Sequence, residues 1–306
     1  MEDGLISSET YVARTGCCRE GFSLTELLVV ISIISLLMGV LLPALGQVRR
    51  QGREVLGMNN LRQIVATVNS YALDNDERYP ESIATITFGN SWHWQEPRMM
   101  TACKPRPSRM HRSMSAYLRS YLADARVMFC PNAPQRYKYL QQAWDAGDDW
   151  DNPETSFPGD PLIGAYCFYW DYVGFLPDRQ TPFRGPQNTL AYPGQSKLLV
   201  SDYFGYDHYR SPNAYGRCEK LGGASITLGT EVSSAYWSRP DAGGNINLDT
   251  LKIRLHAGYT DGHIGSFTPV EAIPMEVSIA PDGSAPYPIG VGLGPGVFYL
   301  PRSALH

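Results

Sequence analysis

An apolar run near the start of the chain constrains the fold more than any other feature. From Phe22 to Leu42 the sequence reads FSLTELLVVISIISLLMGVLL, which contains one charged side chain, Glu26. At about 1.5 Å of rise per residue, a helix of this length spans roughly 30 Å, the thickness of the hydrocarbon core of a bilayer. The run therefore predicts a membrane-spanning helix over residues 22–45.

The position of the run also bears on processing. An ordinary secretory signal has a shorter apolar region that ends at a small-residue cleavage site, whereas this run ends at Pro43 and continues into helix-compatible sequence. Any cleavage is therefore predicted before the run. A carboxylate inside a membrane segment costs about 3 kcal/mol even on lenient insertion scales, so Glu26 needs a partner or a function.

The residues around this charge carry a resemblance. Gly21, followed by Phe-Ser-Leu-Thr-Glu-Leu and a long apolar stretch, resembles the prepilin signature of type IV pilins and type II secretion pseudopilins. The resemblance implies that a membrane peptidase cuts between Gly21 and Phe22, that Phe22 is then N-methylated, and that Glu26 aids assembly. The new ammonium of Phe22 and the Glu26 carboxylate are each unfavourable in lipid, and they can neutralise one another between adjacent subunits.

The same resemblance implies partners and a location. The partners are a prepilin peptidase, other pilin or pseudopilin subunits, the membrane, and the assembly platform of a secretion or pilus system. The leader 1–21 would lie in the cytoplasm, with a single pass through the inner membrane and a head in the periplasm, and the subunit would join a filament after assembly. The arginines after the helix, Arg49, Arg50 and Arg53, would by charge alone favour the opposite orientation.

Beyond the membrane segment, residues 46–79 predict a second helical stretch. Pro43 removes a backbone donor and should kink or loosen the helix. Apolar residues then recur at Ile64, Val68, Tyr71 and Ala72, a stripe that can face a sheet but is too short for a coiled coil. The helix should end within residues 74–77, ahead of Pro80, where acidic residues form either a solvated turn or a cation site.

Residues 80–306 form the predicted head. Short strand-like runs bounded by Pro, Gly, Asn or Asp recur at Ile83–Phe88, Arg126–Phe129, Ala165–Tyr172, Lys197–Val200 and Ile264–Thr268. The fold class is therefore α+β, with a long N-terminal helix packed on an antiparallel sheet that carries long loops.

Three strings in the head extend the resemblance. VMFCPN at 127–132, SKLLVSDY at 196–203 and LHAGYTDGHIGSF at 255–267 resemble the C-terminal region of Planctomycete-type pseudopilin-like proteins, which carry a His, a spacer and then Asp-Gly. Here His256 precedes Asp261-Gly262 by four residues, a shorter spacer than is usual in that group. The Asp-Gly pair between strand-like flanks predicts a two-residue hairpin turn.

Metal-binding residues are few. His256, Asp261 and His263 form the densest set of zinc-type ligands, but the sequence has no HExxH or CxxC string and no GxSxG. Type II secretion pseudopilins, which this chain resembles, bind calcium through loop oxygens. That makes calcium the one cofactor to consider, with Asp202, Asp207 and Asp261 as candidate ligands.

Composition narrows the function classes further. The formal net charge is −4 and charged residues make up 18%, so no basic field indicates a nucleic-acid partner. Cys103, Cys130, Cys167 and Cys218 follow the predicted cut, and they allow three disulfide pairings or buried thiols. The sequence predicts a structural, non-enzymatic filament subunit. The alternative is a membrane-tethered binding protein or metal-dependent enzyme that uses a pilin-like N-terminus for export.

Overall fold

The computed structural model describes ten stretches of the chain and one isolated residue. These are residues 23–84, 96–102, 110–132, 139–151, 153, 162–176, 181–190, 193–206, 213–225, 248–276 and 297–305. The chain divides into two compact units, Met1–Gln51 and Gly52–His306. The first helix, α1 (Leu24–Asp74), begins in one unit and ends in the other.

In the first unit, the described residues are those of α1 up to Gln51, and all of their side chains are exposed. The helix is long and apolar enough to cross a membrane, with a mean hydropathy of 2.7 over its best 18-residue window. This confirms the predicted apolar helix. Pro43 lies inside α1 without interrupting it, and the bend predicted there remains a prediction.

In the second unit, α1 buries one face. Ile64, Val68 and Ala72 are fully buried, and Tyr71 packs partly buried against the same core, which confirms the predicted stripe. Leu61 and Val65 widen the stripe at helical spacing. Complete burial of a side chain such as Leu or Ile contributes about 1.5–3 kcal/mol, so this face supplies much of the attachment of α1 to the head core.

The rest of the head is built from short elements. Among its described residues are two further helices, α2 (Met114–Leu118) and α3 (Leu140–Ala146), and five single-turn 3₁₀ helices, Ala125–Met128, Gly147–Asp149, Leu248–Thr250, Pro269–Glu271 and Arg302–Leu305. The strands are β1 (Tyr166–Phe168), β2 (Val173–Phe175), β3 (Pro182–Arg184), β4 (Leu198–Asp202), β5 (Phe204–Tyr206), β6 (Asn213–Gly216), β7 (Glu219–Ser225), β8 (Leu255–Tyr259), β9 (Ile264–Phe267), β10 (Ala272–Glu276) and β11 (Val297–Pro301).

These strands form two sheets whose pairings are all antiparallel. The four-stranded sheet has the order β1-β4-β8-β9, and the seven-stranded sheet has the order β3-β2-β10-β11-β5-β6-β7. The smaller sheet packs on α1, because a Cβ added to Gly258 of β8 would lie 2.6 Å from Cγ2 of Val65. The α+β class, with a helix on an antiparallel sheet, is confirmed.

Three of the predicted strand runs contain or overlap a strand, and one does not. β1 and β9 lie within two of the predicted runs, and β4 overlaps a third, Lys197–Val200, and continues two residues beyond it. The strand predicted at Arg126–Phe129 is wrong, because the Asp124 side chain accepts a hydrogen bond from the Arg126 N–H and caps a 3₁₀ turn there. At Ile83–Phe88, residues 83–84 form a bend, and residues 85–88 lie outside the described residues.

The predicted hairpin at Asp261-Gly262 is present, with a longer loop than expected. β8 and β9 pair up to Gly258 and Ile264, and the Tyr259 N–H donates to the His263 carbonyl at 3.1 Å. The loop is therefore Thr260 to Gly262, three residues rather than two. Gly262 takes a φ of +88°, the left-handed conformation that three-residue hairpin loops place after a turn.

Candidate functional site

The described N-terminal motif begins with a reciprocal cap on α1. The Ser23 hydroxyl accepts a hydrogen bond from the Glu26 N–H at 3.2 Å, and Glu26 Oε2 accepts one from the Ser23 N–H at 2.9 Å. This is a capping box, which satisfies two of the backbone donors left open at a helix start. Glu26 is thereby turned back toward residue 22, where the carboxylate also faces the positive end of the helix dipole.

The predicted scissile residues, Gly21 and Phe22, lie outside the described residues, so the Gly21-Phe22 bond remains a prediction. The capping box itself was missed at the level of sequence. Ser-x-x-Glu ahead of an apolar run is the signal that could have found it, because this spacing places both side chains within reach of the opposite backbone donor.

A second polar cluster lies in the head unit. It joins α1 to the end of β4, to β8 and to the turn after β6. Asp202 Oδ2 accepts hydrogen bonds from both the backbone N–H and the Nδ1 of His256, each at 2.9 Å. Glu54 of α1 approaches His256 Nε2 at 3.5 Å and Arg217 Nη1 at 3.4 Å. The Arg217 and His256 side chains are 8% and 2% exposed, so both are almost removed from water.

An Asp–His pair can orient a general base, and that use requires a nucleophile at the other ring nitrogen. Among the residues that the structure describes, no hydrogen-bond partner reaches His256 Nε2. The arrangement instead places the buried Arg217 guanidinium and the His256 ring beside Glu54, while Asp202 holds the imidazole ring in place. Glu54 was missed in the sequence, since nothing in its local pattern distinguishes it from a solvated helix residue.

The three candidate calcium ligands do not come together. Asp202 is buried at the end of β4 against His256, whereas Asp261 lies in the exposed hairpin loop, beyond the other end of β8, with its carboxylate on His263. Asp207 lies outside the described residues. Within the described stretches, no group of three or more His, Cys, Asp or Glu side chains could hold a metal ion.

Three of the cysteines are described, and all are buried. Cys130 Sγ donates to the Arg217 carbonyl and Cys218 Sγ donates to the Ala165 carbonyl, each at 3.1 Å. Contact with Cys218, together with burial, raises the pKa of Cys130, and burial raises that of Cys167. Because the thiolate is the reactive form, these thiols are held in their unreactive state. Cys103 lies outside the described residues.

Comparison with known proteins identifies the N-terminal segment. Residues 17–42 match the family model of the prokaryotic N-terminal methylation motif. No curated protein and no solved structure matches the chain. The match covers the residues whose geometry is described above, the Ser23–Glu26 cap and the apolar half of α1. Through this motif, the N-terminal segment is similar to that of the type IV pilin-like and pseudopilin proteins.

Proposed function

We propose that this chain is a structural, non-enzymatic subunit of a type IV pilus-like or type II secretion pseudopilus-like filament. The observation that carries the proposal is the methylation motif at residues 17–42, whose residues 24–42 form the first part of the 51-residue helix Leu24–Asp74. In this proposal a prepilin peptidase removes residues 1–21, Phe22 is methylated, residues 22–45 span the inner membrane and then enter the filament, and residues 46–306 stay on the periplasmic side.

The exposure of the apolar half supports assembly. Leu24, Leu36, Val40 and Leu42 are each at least 66% exposed, and contact between such apolar surface and water is unfavourable. Lipid covers such a surface before assembly. Copies of the same helix, brought together in a filament core, would cover it afterwards. The finding that no described group could hold a metal ion gives no support to the alternative, a membrane-tethered metal-dependent enzyme.

The cap on α1 gives Glu26 two separable tasks. Through the Ser23 N–H it closes the start of the helix, and its remaining acceptor positions can bind the Phe22 ammonium of an adjacent subunit. A glutamine at the same position can still accept from the Ser23 N–H, but it carries no charge. Glu26→Gln therefore separates the two tasks.

The test is expression together with a prepilin peptidase. Mass spectrometry should show a chain shortened by 21 residues and carrying one added methyl group, with a new N-terminus at Phe22. Gly21→Ala should block the cut, and Gly39→Ala, which changes a helix glycine with nothing within 4 Å of the added carbon, should be cut normally. If Gly21→Ala is processed like the parent chain, the cleavage proposal is wrong.

Assembly is tested with the same strains and a filament preparation. Glu26→Gln should be cut and retained in the membrane but should not enter filaments. Ser23→Ala, which keeps the charge and loses the hydroxyl, should still assemble. Efficient assembly of Glu26→Gln would show that the cap, and not the charge, is what this residue supplies.

A further inference from the structure

A cavity of about 640 Å³ opens in the head beside the end of α1. Tyr71 from the last turn of the helix lines one side, and the turn after Asp74 lines another. Backbone hydrogen bonds fix this turn to the segment after β3: the Tyr79 N–H donates to the Gln187 carbonyl and the Thr189 N–H donates to the Glu77 carbonyl, each at 2.9 Å. Backbone hydrogen bonds therefore hold this part of the wall in place, and the volume of the cavity is that of a small-molecule pocket.

The wall is rich in hydrogen-bond acceptors. Asp76, Glu81 and Asp171 bring three carboxylates to it, against one arginine, Arg78. Neighbouring side chains already orient two of them, because the Tyr117 hydroxyl donates to Glu81 Oε2 and the Gln187 amide donates to Asp171 Oδ1, each at 3.0 Å. A carboxylate has about four acceptor positions, so this wall suits a ligand with many donors and repels an anion.

A buried amide oxygen points to the same kind of ligand. Asn188 Oδ1 lines the cavity and is buried, and no donor in the described part of the chain reaches it. Buried acceptors nearly always have a hydrogen-bond partner. Two of the acids lie in turns with left-handed backbone conformations, with φ of 52° at Asp76 and 49° at Asp171, which Asp adopts more readily than most residues.

The aromatic side chains complete the wall. Tyr71 and Tyr117 pack edge to face with ring centroids 6.0 Å apart, so their apolar ring surfaces stand at right angles beside the carboxylates. A single metal ion does not fit, because within the described residues no three acidic, His or Cys side chains converge on one point. The acceptors are spread around the cavity, and a ligand that meets them must carry its donors at several separate positions.

We propose that this cavity binds a saccharide, whose hydroxyl groups donate to Asp76, Glu81 and Asn188 while a ring face lies against a tyrosine. Each hydroxyl supplies one donor at a separate point, which matches acceptors that are spread rather than convergent. The C–H face of a sugar ring supplies the apolar contact that tyrosine offers. The head would then recognise a glycan independently of whether the N-terminal helix polymerises.

The test uses the full chain in lipid nanodiscs, free of glycoside detergents. Saturation-transfer NMR is run with disaccharides of gluco, galacto, manno and N-acetylamino configuration. Separate arms contain calcium chloride, spermidine and inorganic phosphate. At least one disaccharide should give saturable binding, and Asp76→Asn combined with Glu81→Gln should weaken it about ten-fold, because each amide still accepts a hydrogen bond but without the added strength of the charge.

The control is Asp145→Asn, which removes one carboxylate charge from α3, outside the cavity wall. It should bind like the parent chain, and the thermal unfolding of all three proteins should coincide. Absence of saturable binding by every disaccharide overturns the proposal. So does saturation by calcium, spermidine or phosphate alone, or equal disaccharide affinity in the double variant and the control.

Discussion

The two halves of α1 are one continuous helix in two different environments. Up to Gln51 every described side chain is exposed, whereas after Gly52 the helix buries a stripe against a sheet. Leu37 is 56% exposed and Leu61 is 0% exposed, although both are leucines in the same helix. The apolar side chains of the first half therefore depend on an environment outside the chain, lipid or other subunits, and those of the second half on the head.

The largest difference in stability should appear when one leucine in each half of α1 is replaced by alanine. Leu61→Ala should lower the free energy of unfolding of the head by about 3 kcal/mol, because it removes buried methyl groups and leaves a cavity. Leu37→Ala should leave it unchanged. Urea unfolding of the full chain in nanodiscs is followed by tryptophan fluorescence, which reports on the head because all six tryptophans follow residue 80. Equal destabilisation by both variants would break the comparison.

The next largest difference in stability should come from replacing a glycine with alanine at the contact between α1 and the sheet. A Cβ at Gly258 would lie 2.6 Å from Cγ2 of Val65 and 3.0 Å from Cδ1 of Ile264, so Gly258→Ala should push β8 away from α1 and cost about 2 kcal/mol. Gly46→Ala is the matched change in the first half, where nothing lies within 4 Å. It should not reduce head stability in the same urea titration. A neutral Gly258→Ala would mean that this contact between helix and sheet is loose.

Removing a charge from α1 should change the stability of the head by a smaller amount, and only where that charge faces the head. Glu54→Ala leaves the buried Arg217 without its facing carboxylate and should cost about 1–2 kcal/mol. Its neighbour Arg53 is exposed, and Arg53→Ala should stay within about 0.5 kcal/mol of the parent chain. If the two variants unfold at the same urea concentration, Glu54 does not anchor the helix to the head.

Features that depend only on local sequence could be predicted in both halves of α1 and in part of the head. The apolar run could be recognised because length and hydropathy alone determine whether a helix can cross a membrane. The stripe at Ile64, Val68 and Ala72 was equally visible because helix periodicity is local. The strand at Ala165–Tyr172 was predicted for the same reason, although β1 occupies only three of its residues.

What sequence missed depends on contacts between distant residues. Glu54, Asp202, Arg217 and His256 are far apart in the chain, and only the pairing of β4 with β8 and the packing of α1 bring them together. At Arg126–Phe129 the residues look like a strand, yet one local hydrogen bond, donated by the Arg126 N–H to Asp124 Oδ1, caps a 3₁₀ helix there. The cavity beside Tyr71 likewise joins the helix end to residues 171 and 187–188, which no local pattern links.

Acid should weaken one loop contact in the head. Asp148 accepts hydrogen bonds from the Arg112 and Ser113 N–H groups at 2.7 and 2.8 Å and pairs with His111 at 2.7 Å. Burial would raise the pKa of Asp148, but these hydrogen bonds outweigh it and hold the pKa below its ordinary value of 3.8. The stabilisation is therefore complete above pH 3.8 and is lost as the pH falls through the lower, folded-state value.

Asp148→Asn should consequently destabilise the head at pH 7 by about 1 kcal/mol, a value kept small because the carboxylate is partly exposed to water. The difference from the parent chain should shrink as the pH is lowered below about 4, since protonation removes the same charge from the parent. Asp149→Asn, its exposed neighbour, is the control and should match the parent at every pH. Thermal unfolding by tryptophan fluorescence between pH 7 and pH 3 measures the difference. A gap between Asp148→Asn and the parent that persists at pH 3 would show that the asparagine disturbs the loop by its shape, and the charge would then not be what ties residues 111–113 to the head.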